Sequence, residues 1–404
     1  MQSDRFTMIR RRARIIAPFG FYGWGNIGDE STLQGFAQLM RSRRGTPSVW
    51  IASRNPAHTG RVEPSFKYFS ADWQPGVRTR LRRRWAQFAA TATVFPGGTP
   101  IMDGLGTWPL DEVAPLVRTA REQNRPVVFV GSGTERLQRA ESRAIVGNLL
   151  APAVRHWTVR SEHDRERLAS WGVPNDRVTV AADMAWLLPC QSDEFGRRTL
   201  RDLQLFPNDR LIGVNLNNEQ VVLERDPKFF AKMATFLDRL IETSHAPVLL
   251  FCSEVREGPT FDKAAAEKVR TLMRRSDRAA ILPNKYWTPQ ELLSLIACCQ
   301  LVVSMRYHVC LFSAVQGVPF IAVQRSDKVR DLCSDIGWQY GVTLDTVDVA
   351  VLLDQAAEVE QQREVLVDRL RAAAANQARQ SLRNNVALDA LNGMEPHGSE
   401  FPAP

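Results

Sequence analysis

The chain is poor in the features that would name a chemistry at once. Six cysteines occur among 404 residues and none forms a C-x-x-C pair, which argues against a disulfide scaffold or a zinc ribbon and fits a reducing cytosol. Six histidines are scattered. His156 and His163 come without the carboxylate or thiol partners that a metal site needs, so no metal and no cofactor is expected. There is no D-x-D, as a metal-dependent nucleotide-sugar transferase would use to chelate diphosphate, and no G-x-S-x-G elbow of a serine hydrolase. No apolar run approaches the ~18 residues that span a bilayer. Arg10, Arg11, Arg12 and Arg14 precede a short apolar stretch, faintly like a signal peptide. Gly20, Gly23, Gly25 and Asn26 interrupt it, and a basic arm leading into a first strand is the plainer reading.

What is present is an ordinary globular composition, 44% hydrophobic and 24% charged. Lys plus Arg number 52 against 44 Asp plus Glu, for a formal charge of +8. That balance favours anionic partners, whether phosphorylated small molecules, anionic lipid or nucleic acid. No stacking module or recognition motif supports nucleic acid, so none is expected.

Short apolar runs alternate with amphipathic segments. Strands are expected near Ile15–Phe19, Val49–Ala52, Thr93–Phe95, Val127–Val130 and Val178–Val180, and again near Leu211–Leu216, Val248–Cys252, Ala279–Leu282, Leu301–Ser304 and Phe320–Val323. Helical patterns such as Ser31–Arg41, Asp111–Gln123, Glu162–Trp171 and Pro227–Thr243 lie between them. Continuous rather than alternating apolar strands separated by helices point to parallel sheets covered on both faces. The class is α/β, with two doubly wound Rossmann-like domains facing a cleft. The polar stretch Cys190–Asp209 breaks the rhythm, which puts a first domain at residues 1–195 and a second at 205–345. Helices alone are expected over 346–392 and a disordered tail over 393–404.

Three glycine loops follow strands in the first half. Gly23-Trp24-Gly25-Asn26-Ile27-Gly28 reads G-x-G-x-x-G and opens a helix. Asp29, immediately after it, would repel a pyrophosphate. Arg54 stands after the next strand in place of the acid that would hold a ribose, although an NADP site could use it. Asp29 can equally cap the helix, or join Asn26 in lining a cleft. Pro96-Gly97-Gly98-Thr99, leading to Asp103, and Gly131-Ser132-Gly133-Thr134 are the other two loops. Together they suggest a backbone-lined anion pocket. Asp103 could be a helix cap.

In the second half a strand ends at Ser304, and Arg306 and His308 follow before an apolar helix that closes on Gly317. Arg306 offers a planar fork for a carboxylate or phosphate, and His308 a group that trades a proton near neutral pH. A surface ion pair and a helix-start histidine are the bland alternatives. Asp327 and Lys328 come shortly after the next strand.

These residues resemble the polysaccharide pyruvyl transferase family. The similarity runs through Gly20-Phe21-Tyr22-Gly23-Trp24-Gly25-Asn26-Ile27-Gly28-Asp29-Glu30, Pro96-Gly97-Gly98 with Asp103, Val159-Arg160-Ser161-Glu162, Gly172-Val173-Pro174, Ala182-Asp183, Ser304-Met305-Arg306-Tyr307-His308, Gly317-Val318-Pro319 and Asp327-Lys328. Relatives often carry Tyr-Asp-x-Lys where this chain has Gln324-Arg325-Ser326-Asp327-Lys328. The resemblance implies a GT-B-like pair of domains. It also implies transfer of the pyruvyl group of phosphoenolpyruvate, a substrate and not a cofactor, to a saccharide acceptor that can be lipid-linked. His308 is then the expected acid and Asp103 the base or hydroxyl orienter. Arg306, Arg160, Asn26, Asp29, Gly97, Gly98, Ser304 and Lys328 are the expected substrate-binding groups. A nucleotide-sugar glycosyltransferase on the same architecture and a non-catalytic anion-binding relative are the alternatives. Arg78, Arg80, Arg82, Arg83 and Arg84, interleaved with Leu81, Trp85 and Phe88, read as a basic amphipathic helix. It would be either a solvated face or an attachment to anionic membrane, giving a cytoplasmic protein peripheral at the inner membrane face.

Overall fold

The computed structural model describes residues 14–43, 47–71, 77–104, 106–206 and 210–391, apart from the side chains of residues 78–80 and 82–84. The expected tail and the arginine side chains of Arg78–Arg84 therefore lie outside the described residues.

Two all-parallel sheets organise the chain. The first holds β1 (Arg14–Ala17), β2 (Ser48–Ser53), β3 (Lys67–Ser70), β4 (Ala92–Pro96), β5 (Val127–Ser132), β6 (Val154–Val159) and β7 (Val178–Val180), in the order β3-β2-β1-β4-β5-β6-β7. The second holds β8 (Leu211–Asn215), β9 (Val248–Leu250), β10 (Ala279–Ile281), β11 (Cys299–Ser304), β12 (Phe320–Gln324) and β13 (Gly341–Thr343), in the order β10-β9-β8-β11-β12-β13. Both are doubly wound and reverse direction between their first and fourth strands. Ile15 of β1 pairs with Val49 on one side and Ala92 on the other. Val214 of β8 likewise sits between Val303 and Leu250. Ligand crevices form at such switch points, beyond the carboxyl ends of the strands. The loops after β1 and β4 therefore face those after β8 and β11 across a cleft.

Every residue of β5, Val-Val-Phe-Val-Gly-Ser, is buried, as expected for a strand covered on both faces. The strands expected from apolar runs are all present. Three more were not legible: β3 and β13 are edge strands of four and three residues, and β6 hides Arg155 and His156 in its run. The His156 ring is paired with the Thr179 hydroxyl at 2.9 Å, which is how an apolar strand carries it.

The domain boundary falls earlier than the polar stretch suggested. The helix Glu194–Asp202 already belongs to the second domain. Its Gly196 N–H donates to Ser294 Oγ (2.9 Å) and its Leu200 joins the second core. The C-terminal helices are likewise not a separate module. Val349–Gln361 and Arg363–Ser381 bury Leu352, Val359, Leu366 and Leu370 in the second core. The chain then crosses back, and Ala387 and Leu388 of Asn385–Ala390 pack with Phe36 and Val130 of the first. Asn384 seals the return, accepting from the Thr158 hydroxyl (2.6 Å) and donating to the Ala182 carbonyl (2.9 Å).

Candidate active site

The first domain's switch-point loop is stitched to the second domain. Ile27 N–H donates to the Ser253 carbonyl (2.9 Å) and Val255 N–H to the Gly25 carbonyl (2.8 Å), so a short antiparallel bridge runs between the first glycine loop and the loop after β9. The cleft beside it, roughly 360 Å³, receives Trp24, Asn26, Asp29, Gly98, Glu135 and Arg160 from the first domain. The second contributes Glu219, Glu254, Arg256, Arg306, His308, Arg325 and Lys328. That size is within the range of small-molecule sites.

Asn26 caps the helix Ile27–Arg41, its Oδ1 accepting from Gly28 N–H at 3.0 Å. Gly28 has a different duty. A Cβ on it would lie 2.0 Å from His308 Nδ1, so the imidazole of one domain rests directly on the glycine loop of the other. His308 Nε2 is 3.6 Å from Asp183 Oδ2 and is buried without a hydrogen-bond partner. At that length the contact is electrostatic and not a hydrogen bond. Asp29, in the first turn of the same helix, faces the cleft. Burial pushes its carboxyl up to about 6, partly opposed by His308.

The arginines are held from behind. Arg160 donates to Asp183 Oδ2 (2.9 Å) and Thr99 Oγ1 (3.3 Å), with its guanidinium 5.7 Å from the centre of the Tyr307 ring. A Cβ at Gly133 would fall 2.0 Å from Arg160 Nη2, which accounts for glycine in that loop. Asp183 is wholly buried. Against the cost of burial, His308 and Arg160 hold its carboxyl well below the ordinary range. Arg306 donates from Nη2 and Nε to Asp262 Oδ1 (2.6 and 3.1 Å) and from Nη2 to Glu254 Oε2 (3.0 Å). Among the described residues its Nη1 makes no hydrogen bond. Both deep arginines thus spend much of their fork on buried carboxylates. A buried guanidinium without a counter-charge would be costly.

The cations nearer the rim are differently placed. Lys328 Nζ donates to Glu135 Oε1 (2.7 Å) and Thr99 Oγ1 (3.2 Å), joining the domains. Arg325 pairs with Glu219, while Arg256 shares the buried Glu254 with Arg306. Glu135 and Glu219 are 41% and 40% exposed, so an incoming anion can displace them into water at small cost.

Three expected residues are not in the cleft. Asp103 is buried, with its carboxylate accepting from Gln138 N–H (3.0 Å to each oxygen) and Arg139 N–H (2.8 Å). Although burial opposes it, these amides hold the group below its usual range. It anchors the start of the helix Ala140–Ile145 and is not placed to touch a substrate. Ser304 is buried at the end of β11, accepting from Arg306 N–H at 3.0 Å. Gly97 (φ +64°) shapes the turn from beneath, against Thr32.

Sequence reading missed Glu254, Asp262, Glu135 and the aromatic wall. Trp24 and Trp108 stack at 5.5 Å, with Phe21 edge-on to Trp108 at 5.6 Å. Two loops far apart in sequence build that wall, so no local pattern announces it. Among the described residues no group of three or more His, Cys, Asp or Glu is placed to hold a metal ion.

Comparison with solved structures shows the same architecture. A putative UDP-N-acetylglucosamine 2-epimerase from Listeria monocytogenes superposes with a TM-score of 0.66 at 11% identity, over 96% of this chain and 99% of that one. A glycosyltransferase from Rickettsia africae gives 0.60 at 9%, over 95% and 100%. The Anabaena HepE complex with UDP-glucose gives 0.61 at 12%, over 95% and 100%. At these identities the likeness is of fold, and the fold is GT-B-like. A search of curated proteins returned no match. The sequence profile of polysaccharide pyruvyl transferases matches residues 26–327, from the asparagine that caps the first cleft helix to Asp327, which opens the helix Asp327–Asp335. Over that span lie the second and third glycine loops, the Arg160–Asp183 pair and the Arg306–His308 turn, and the chain belongs to the polysaccharide pyruvyl transferase family.

Proposed function

We propose that this chain transfers the pyruvyl group of phosphoenolpyruvate to a saccharide, forming a cyclic ketal and releasing phosphate. The observation that carries the reading is the convergence, across one interdomain cleft, of an imidazole, a carboxyl (Asp29) with no hydrogen bond among the described residues, and several guanidinium and ammonium groups. Phosphoenolpyruvate brings a phosphate and a carboxylate, and Arg325, Lys328 and Arg256 bind them as Glu219 and Glu135 turn to solvent. The free Nη1 of Arg306 completes the grip. His308 donates a proton to the methylene carbon, leaving an oxocarbenium-like centre at the neighbouring carbon. A sugar hydroxyl attacks that carbon and gives its proton to Asp29. The bond from carbon to phosphate oxygen then breaks, and a second hydroxyl closes the ketal on the same carbon, giving its proton to the departing phosphate. Asp29 takes the role expected of Asp103, because it faces the cleft and burial pushes its carboxyl up to about 6. The aromatic wall of Trp24 and Trp108 offers apolar faces to a sugar ring.

Phosphate release from phosphoenolpyruvate, screened against a panel of glycans, tests the reading. Turnover with some acceptor, abolished in His308→Ala, is expected. Near-normal turnover in that variant refutes the acid role. Thermal stabilisation by UDP and not by phosphoenolpyruvate replaces the reading with a nucleotide-sugar glycosyltransferase.

A further inference from the structure

Ten large hydrophobic side chains are exposed among the described residues, and four lie on one helix, Val77–Ala89. Val77, Leu81, Trp85 and Phe88 are 70%, 60%, 50% and 76% exposed. Their spacing of four, four and three places them along a single helical face. Ala86, off that stripe, is buried against the sheet with Phe69, so the stripe points away from the domain. The helix segment contains five arginines and no acidic residue. Two described cations stand beside the stripe as well. The guanidinium of exposed Arg14 lies 5.5 Å from the Trp85 ring, and exposed Lys67 lies 5.3 Å from Trp50, which meets Trp85 edge-on. None of the described helices is long and apolar enough to cross a membrane.

We infer that this helix docks the protein on an anionic lipid bilayer, with its apolar stripe in the headgroup boundary and its cations on the lipid phosphates. An apolar stripe bordered by basic and no acidic residues is the pattern that lies in a bilayer interface. A protein partner chosen for apolar burial alone would not call for cations in the helix and on both neighbouring strands. The opposite side of the helix leads toward the site. Gln87 lines a second cavity of about 320 Å³, whose walls include Trp24 and Trp108 of the cleft. A glycan carried on a lipid would meet that cavity before the cleft.

The docking surface is independent of the transfer chemistry, and its test needs no substrate. The full chain is sedimented with vesicles of phosphatidylcholine alone and of phosphatidylcholine mixed with phosphatidylglycerol. The paired variant Leu81→Asp/Phe88→Asp keeps every arginine and alters only exposed positions, so its Tm is expected to match the parent's. Binding to the anionic vesicles, weakened by salt and reduced at least about tenfold in the variant, is the expected result. Sedimentation with neither vesicle overturns the inference, as does equal binding by the variant. If the parent is a dimer by light scattering and the variant a monomer, the stripe belongs to a second copy instead.

Discussion

Replacing Gly28 with alanine tests whether the imidazole is positioned by the opposing domain. The added methyl would lie 2.0 Å from His308 Nδ1 and 2.5 Å from Cγ and Cε1, where ordinary contact starts near 3.4 Å. The ring must therefore retreat by more than an ångström. Little else changes, since Gly28 is in the first turn of a helix and its N–H still reaches Asn26 Oδ1. Alanine favours the helix by ~1 kcal/mol, set against ~1–3 kcal/mol for overpacking, so the net stability change is within about 2 kcal/mol. A catalytic group displaced by ~1 Å costs on the order of a hundredfold in rate. Gly28→Ala should thus keep Tm within several degrees of the parent while kcat for phosphate release falls about a hundredfold. The imidazole resonances of His308 should also shift in NMR, a readout that does not depend on turnover. Parental kcat together with an unmoved His308 signal would show that the glycine is not there for the imidazole.

With the Asp29 carboxyl pushed up to about 6, the parent's kcat/KM is expected to rise through about pH 6, and Asp29→Asn should remove that rise, because the base is lost in its charged form; a pH profile of unchanged shape would exclude Asp29 as that base. Asp103→Ala should lower stability by ~2 kcal/mol, in the manner of a lost helix cap, with kcat within a few-fold of the parent. A hundredfold loss of kcat at unchanged Tm would return Asp103 to the chemistry. Glu30 is buried, accepts from Gly23 N–H at 2.6 Å, and its carboxyl is pushed by burial from 4.5 up to about 7. The folded state therefore holds a proton that the unfolded chain gives up first, so stability falls as pH rises from about 4.5 to 7 and stays reduced above that. Glu30→Gln keeps the acceptor and drops the charge. It should be more stable than the parent at pH 8, by at most ~3 kcal/mol, and should converge with it toward pH 4. Equal Tm values at pH 8 would count against a strained carboxylate.

The sequence by itself determined the class of fold, because apolar strand runs and amphipathic helices have different periods and both are printed locally. It also determined which turns matter. Glycines after strands and the Arg-x-His turn after β11 stand at switch points whatever the final packing, so most of the cleft residues named from sequence do line it. The returning helix was invisible, since Ala387 and Leu388 look the same whichever core receives them. Only the tertiary structure decided who partners whom. Asp262 and Glu254 come from segments some fifty residues away from Arg306, and nothing local marks them as its counter-charges. Asp103 and Asp29 read alike as acids near glycine loops. Two backbone amides at Gln138 and Arg139 claim the first, while the second makes no hydrogen bond among the described residues and faces the cleft. A charged side chain's role is set by what remains after its neighbours have been satisfied, and that remainder exists only once the chain has folded.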